Sequence, residues 1–137
     1  MEIPVELVRI LINEGGETQV IVVREVDGDR ELPISIGFFE AAAIDRRLKE
    51  IPIPRPMTHE LIENVIEALG GRLARIVICD LVDHTFIGKL VIERNGMEVD
   101  VDCRPSDAIA LAVGRRVPIH CEDHVLRAGN PRPHESD

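Results

Sequence analysis

The stretch Asn95-Gly96-Met97-Glu98-Val99-Asp100-Val101-Asp102-Cys103-Arg104-Pro105-Ser106-Asp107-Ala108-Ile109-Ala110-Leu111 changes period half-way along, and that change decides the fold class. From Met97 to Cys103 apolar and acidic residues alternate. Met97, Val99, Val101 and Cys103 therefore share one face of a strand, and Glu98, Asp100 and Asp102 the other. Asn95-Gly96 is a strong hairpin signal, because both central positions of a type I′ turn need positive φ. A two-residue turn there sets Glu93 opposite Glu98, Val91 opposite Asp100 and Lys89 opposite Asp102. After Arg104 the alternation stops. Pro105 can open a helix, whose first N–H groups lack intrahelical partners, and residues 108–113 are apolar nearly all round, as in a deeply buried helix.

Outward from this junction, residues 73–82 and 85–94 read as strands, as do 3–12 and 18–26 near the start. Asp27-Gly28-Asp29 marks a turn into a third strand in which Leu32, Ile34 and Ile36 alternate; Pro33 lacks a donor and suggests a sheet edge. From Gly37 the pattern becomes helical, with Ala41, Ile44, Leu48 and Ile51 on one face and Phe38 and Phe39 read as core packing. Residues 51–56, with three prolines, form an extended connector. A second helix runs from Thr58 to the Gly70-Gly71 stop. Its apolar stripe is Leu61, Ile62, Val65, Ile66 and Leu69, and His59, Glu60, Glu63, Asn64 and Glu67 fall on its polar side. Residues 117–121 make a last short strand. Strands in clusters, without strict βαβ alternation, give an α+β class: a mostly antiparallel or mixed twisted sheet with about three main helices. The expected domain spans residues 1–127, with 128–137 as a disordered tail.

A chain of 137 residues suits one domain with a substantial core. The net charge of −9 argues against broad attraction to nucleic acid, leaving local arginine clusters or a bound cation to engage phosphate. Three Phe and no Trp or Tyr argue against an aromatic stacking platform. The apolar runs are far short of a membrane span and no signal peptide is recognisable, so a cytoplasmic protein is expected. Cys79, Cys103 and Cys121 form no C-x-x-C, and a disulfide framework is not expected.

Two helix starts share one plan: Arg55-Pro56-Met57-Thr58-His59-Glu60 and Arg104-Pro105-Ser106-Asp107. Ordinary capping by Thr or Ser accounts for either alone. Together they gather Arg55, Thr58, Arg104 and Ser106 as candidate phosphate-binding residues beside exposed N–H groups. His59, Asp102 and Asp107 are the candidate catalytic residues, with a neutral His59 able to accept a proton. Asp100, Asp102 and Asp107 are candidate ligands for Mg²⁺ or Mn²⁺, hard cations that prefer oxygen. The competing readings are a solvated sheet face with a Lys89–Asp102 ion pair, a structural Arg–Asp network and a surface histidine. His120-Cys121-Glu122-Asp123-His124 offers further donors but matches no closed zinc motif.

The landmarks Glu31-Leu32-Pro33-Ile34-Ser35-Ile36-Gly37, Glu40-Ala41-Ala42-Ala43-Ile44, the two Arg-Pro segments and Val117-Pro118-Ile119 occur in order over residues 3–127. In these the chain resembles the bifunctional nuclease (BFN domain) family. The resemblance implies a small α+β domain that self-associates, with nuclease activity on DNA and RNA. It brings no settled catalytic assignment, so the roles of His59, Asp102, Arg104 and Asp107 rest on the residues themselves. Glu60 stands where an aspartate is more typical, and residues 120–124 depart from the usual acidic and apolar character. The functional classes in play are a metal-assisted phosphodiesterase acting on DNA or RNA, an anion- or nucleotide-sensing module, and an oligomeric structural protein. A homo-oligomer without membrane association is expected.

Overall fold

The alternating segments pair into one sheet in the computed structural model, which describes residues 1–13, 15, 16 and 18–130. In chain order the elements are β1 (Glu2–Leu11), β2 (Thr18–Glu25), β3 (Glu31–Gly37), α1 (Phe38–Leu48), α2 (Thr58–Ala68), β4 (Arg72–Val82), β5 (Thr85–Arg94), β6 (Met97–Cys103), α3 (Pro105–Arg115), β7 (Ile119–Glu122) and α4 (Asp123–Gly129). The seven-stranded sheet has the order β3-β2-β1-β7-β4-β5-β6. Its pairs are antiparallel except β4–β7, so the sheet is mixed. β3 lies at an edge, where the missing N–H of Pro33 costs no ladder bond. The fold is α+β, with α4 added to the three helices expected and continuing through Gly129, beyond the expected domain end at 127. Most of the expected tail, residues 131–137, lies outside the described residues.

The β5–β6 hairpin has the expected register, with Lys89 opposite Asp102 and Glu93 opposite Glu98. Asn95 and Gly96 take φ of 52° and 76°, as a type I′ turn requires. The ion pair differs from expectation: Lys89 Nζ reaches diagonally to Asp100 Oδ2 at 3.1 Å instead of crossing to Asp102. A long, flexible ammonium stem can select either acidic neighbour on that face.

α3 is the centre of the core. Ala108, Ile109, Ala110, Leu111 and Ala112 are all buried, against Ile44 of α1, Ile76 and Ile78 of β4 and Leu90 of β5. Val125 and Leu126 of α4 close the same core. Among the described residues no helix is long and apolar enough to cross a membrane.

Two expectations about apolar residues are overturned. Phe38 and Phe39 are not core: both are exposed, Phe39 at 81%. The inward face of α1 is set by the small, close-packed Ala41 and Ile44, and Phe39 stands about half a turn away from it. α2 is turned in part, with Ile62 of the expected stripe still packed against the core. His59 and Glu63 are buried, while Leu61, Val65 and Leu69 of the expected core stripe are 56%, 47% and 63% exposed.

Arg47 explains the rotation. It is buried on α1, and its Nε donates to the Ala110 carbonyl of α3 at 2.6 Å. A guanidinium in that position needs carboxylates, and α2 supplies Glu60 and Glu63. Glu63 also pairs with Arg115 of α3, and Glu60 with Arg46 at 3.1 Å. The charged face of α2 must therefore point inward. Gly114 leaves room for this arrangement, since a Cβ there would run into the Arg47 guanidinium. Gly114→Ala is expected to cost about 2–3 kcal/mol by overpacking a site that cannot relax, read as a lower urea midpoint. An unchanged midpoint would show that Arg47 is free to shift.

Candidate functional site

The start of α3 sits low on the sheet because β5 carries Gly88 beneath it. A Cβ on Gly88 would approach the Cys103 carbonyl and the Pro105 backbone at 3.2–3.3 Å. Arg104 is the N-cap, Pro105 the first helical residue, and Asp107 the third. α2 repeats the plan, with Met57 as N-cap and Glu60 third. Neither hydroxyl caps its helix: Thr58 is exposed at the first helical position and Ser106 buried at the second. Instead Glu60 accepts a hydrogen bond from the Met57 N–H at 3.2 Å.

The two helix starts meet on a single carboxylate. Asp107 Oδ2 accepts from Arg104 Nε at 2.9 Å, and Oδ1 from Arg104 Nη2 at 3.1 Å. Oδ1 also lies 3.1 Å from Nε2 of His59, 48 residues away in sequence. A carboxylate offers only acceptors, so Nε2 carries the shared hydrogen, and in the neutral imidazole the lone pair falls on Nδ1. Burial pulls the Asp107 carboxyl upward, but the hydrogen bonds from Arg104 and His59 outweigh it and hold Asp107 below its ordinary value. Arg104 is 64% exposed, and its Nη1 lies 3.7 Å from Glu40 Oε2.

This cluster opens onto a concavity of about 400 Å³ lined by Phe39, Glu40, Thr58, His59, Arg104 and Asp107, among others. A second concavity of about 410 Å³ lies across Arg104 and Glu40, which line both; β3, the β4–β5 turn, Phe86, Pro105 and Ser106 form its other walls.

His59, Asp107, Arg104 and Thr58 are thus brought together, with Ser106 next door. Arg55 is exposed on the connector and lines neither concavity. Asp100 and Asp102 lie on the exposed face of β6, also outside both. The expected cation ligands do not converge: Asp107 is held by Arg104 and His59, and Asp100 by Lys89. Among the described residues no three His, Cys, Asp or Glu side chains are grouped to hold a metal ion. The donors of 120–124 are dispersed as well. His120 meets Glu2 at 2.8 Å, His124 meets Asp80 at 3.3 Å, and Cys121 is buried, its thiol pushed up to about 12 by desolvation.

Sequence reading missed Glu40 and Phe39. For Glu40 a signal was present: α1, α2 and α3 each carry a carboxylate at their third residue, Glu40, Glu60 and Asp107. Phe39 gave none, since an aromatic beside an apolar stripe reads as core.

Compared with known proteins, the chain matches the bifunctional nuclease domain over residues 21–132, a span that contains both helix starts. It belongs to the bifunctional nuclease domain family. An uncharacterized protein of Mycobacterium tuberculosis is 43% identical over 134 residues, covering 97% of this chain and 80% of the relative. Bifunctional nuclease 1 of Oryza sativa is 27% identical over 91% of this chain, and that of Arabidopsis thaliana 24% identical over 85%. The chain covers only 40% and 37% of those plant proteins.

The hydrogen bonds on Asp107 make a direct prediction. A carboxyl held below its ordinary 3.8 stabilises the fold above that pH, and this contribution is lost as pH falls through the lowered value. Carboxyl-carbon NMR should find Asp107 titrating below 3.8 in the wild type and moving upward in Arg104→Gln, where burial opposes ionisation with one fewer partner. No movement would mean that Arg104 does not hold the carboxylate in solution.

Proposed function

We propose that this domain hydrolyses phosphodiester bonds of DNA or RNA at the His59–Asp107–Arg104 cluster. The observation that carries the reading is the single carboxylate joining an imidazole to an exposed arginine at the floor of a concavity. Membership of the family supports it, as does likeness to the bifunctional nucleases of rice and Arabidopsis thaliana.

Each residue has a role that follows from its contacts. Asp107 fixes the His59 tautomer and the plane of Arg104, whose remaining nitrogen, Nη1, faces the long Glu40 contact and solvent. A non-bridging phosphate oxygen can displace Glu40 and take a charge-assisted hydrogen bond from Nη1. His59 Nδ1 takes a proton from water as the water oxygen bonds to phosphorus and the leaving P–O bond breaks. The resulting imidazolium is stabilised by Asp107, and the leaving oxygen is protonated from solvent. Asp100 and Asp102 have no part in this scheme, and none of its steps is routed through a cation; a bound Mg²⁺ or Mn²⁺ would add charge stabilisation at the phosphate.

The test is cleavage of labelled single- and double-stranded DNA and RNA by purified protein in Mg²⁺, Mn²⁺ and EDTA. His59→Ala and Asp107→Ala, shown to be folded, should lose activity by about 10²-fold or more, the usual weight of a general base. Equal activity in wild type and variants would remove the site assignment. Inactivity under every condition, with retained binding of phosphate, would favour an anion-sensing module.

We also propose that the domain self-associates. Leu61, Val65 and Leu69 of α2 and Met97, Val99 and Val101 of β6 are all exposed. A Cβ on Gly71 would meet both Ile66 of α2 and Ile92 of β5, and Ile92 pairs with Val99 of β6. Apolar area of this kind suits a second copy of the chain, whose acidic rim can stay solvated. Light scattering at micromolar concentration should give an oligomer that Val65→Glu and Val99→Glu shift toward monomer; a monomeric wild type would reject the interface.

A further inference from the structure

The three aromatic side chains are few, yet all of them stand around Arg104. Phe39 lines the concavity that holds His59 and Asp107, and Phe38 meets it edge-on at 5.8 Å with an interplanar angle of 82°. That contact steadies the Phe39 ring while leaving it 81% exposed. Phe86 lines the second concavity on the far side of Arg104. A phenylalanine steadied at one edge and otherwise wetted leaves a ring face at the mouth of a charged site that a flat apolar partner can cover favourably.

We propose that the two concavities form a dinucleotide site for unstacked, single-stranded nucleic acid, with the phosphate on Arg104 and one base stacked on Phe39. This rests on the phosphodiesterase reading above and adds the substrate class. A phosphodiester has a nucleoside on each side, and Arg104 and Glu40 form the ridge between two concavities of about 410 and 400 Å³. A base inside a duplex is already stacked, so only a splayed strand can present a free face to Phe39. The net charge of −9 opposes the approach of a long duplex backbone, and stacking supplies affinity that charge does not.

The chain has no Trp or Tyr, so Phe39→Trp creates a single fluorescent reporter at the site. In a His59→Ala background with EDTA, which prevents turnover, a four-residue oligo-dT should quench this tryptophan. A self-complementary duplex of equal phosphate concentration should quench far less. The binding constant should fall with salt at a logarithmic slope of about −0.7, one phosphate contact on a single strand. Phe39→Ala should weaken oligo-dT binding about tenfold by anisotropy, the usual weight of one stacked base. Ser35→Trp, which fills the second concavity from the exposed side of β3, should weaken it as well. Equal quenching by duplex, or by inorganic phosphate alone, would overturn the proposal. So would unchanged affinity in Phe39→Ala. If His59→Ala abolishes cleavage while Phe39→Ala changes neither binding nor KM, the stacking subsite falls and the phosphodiesterase reading stands.

Discussion

The buried Arg47 guanidinium is the constraint on which the rest of this structure depends. Placed on α1 and bonded to a carbonyl of α3, it would be a large unpaired charge without Glu60 and Glu63. Their attraction is sharpened by burial, and removing one partner would strand the others. α2 is thereby docked through carboxylates beside Ile62, with Leu61, Val65 and Leu69 left outside. The same docking brings His59, one residue before Glu60, over the start of α3 and within reach of Asp107. The chemistry of the site and the exposed apolar surface of α2 are two results of one ion-pair network.

A helix N-terminus is ordinarily a ready anion site, and the paired Arg-Pro segments suggested a phosphate on the free N–H groups. The structure assigns those positive ends differently. Each of the first three helices carries its own carboxylate at the third residue, and Glu60 takes the Met57 N–H directly. Each of those carboxylates is also matched by arginine, Glu40 and Asp107 by Arg104 and Glu60 by Arg46 and Arg47. An incoming phosphate therefore competes with an internal carboxylate at every helix start. It competes most easily at Arg104, where Glu40 is 3.7 Å away and the side chain is open to solvent.

What was legible in the sequence was what local periodicity controls. Alternation through β6, the Asn95-Gly96 turn, the edge position of β3 and the burial of α3 follow from backbone rules that act within a few residues. The union of Arg104 with Asp107 was also readable, since residues three apart on a helix start are neighbours. The pairing of His59 with Asp107 spans 48 residues and was visible only as two similar segments, with no rule to say that they meet. The inward face of α2 was misplaced by part of a turn, because an apolar stripe assumes an apolar core while this helix also docks His59, Glu60 and Glu63 against a buried cation and α3. α4 was missed because seven residues hold too few turns to show a period. The three aspartates read as a cation site are separated by the strand-to-helix corner, which turns Asp107 toward His59 and leaves Asp100 and Asp102 on the open face of β6.

The charge balance of 16 basic against 25 acidic residues bears on how such a site can bind a polyanion. Arg9, Arg30, Arg72, Arg75, Arg115 and Arg127 are each engaged by carboxylates, so they tie elements together and add little outward potential. Long-range steering of nucleic acid toward this surface would be repulsive overall. On the proposed function, binding would then arise from short-range contacts, namely one arginine that can exchange a long internal contact for a phosphate and an aromatic face that charge does not repel. Such contacts favour one phosphate and its neighbouring bases over a long stretch of backbone. A domain built this way can locate a short, exposed segment of a strand without holding the rest of the polymer.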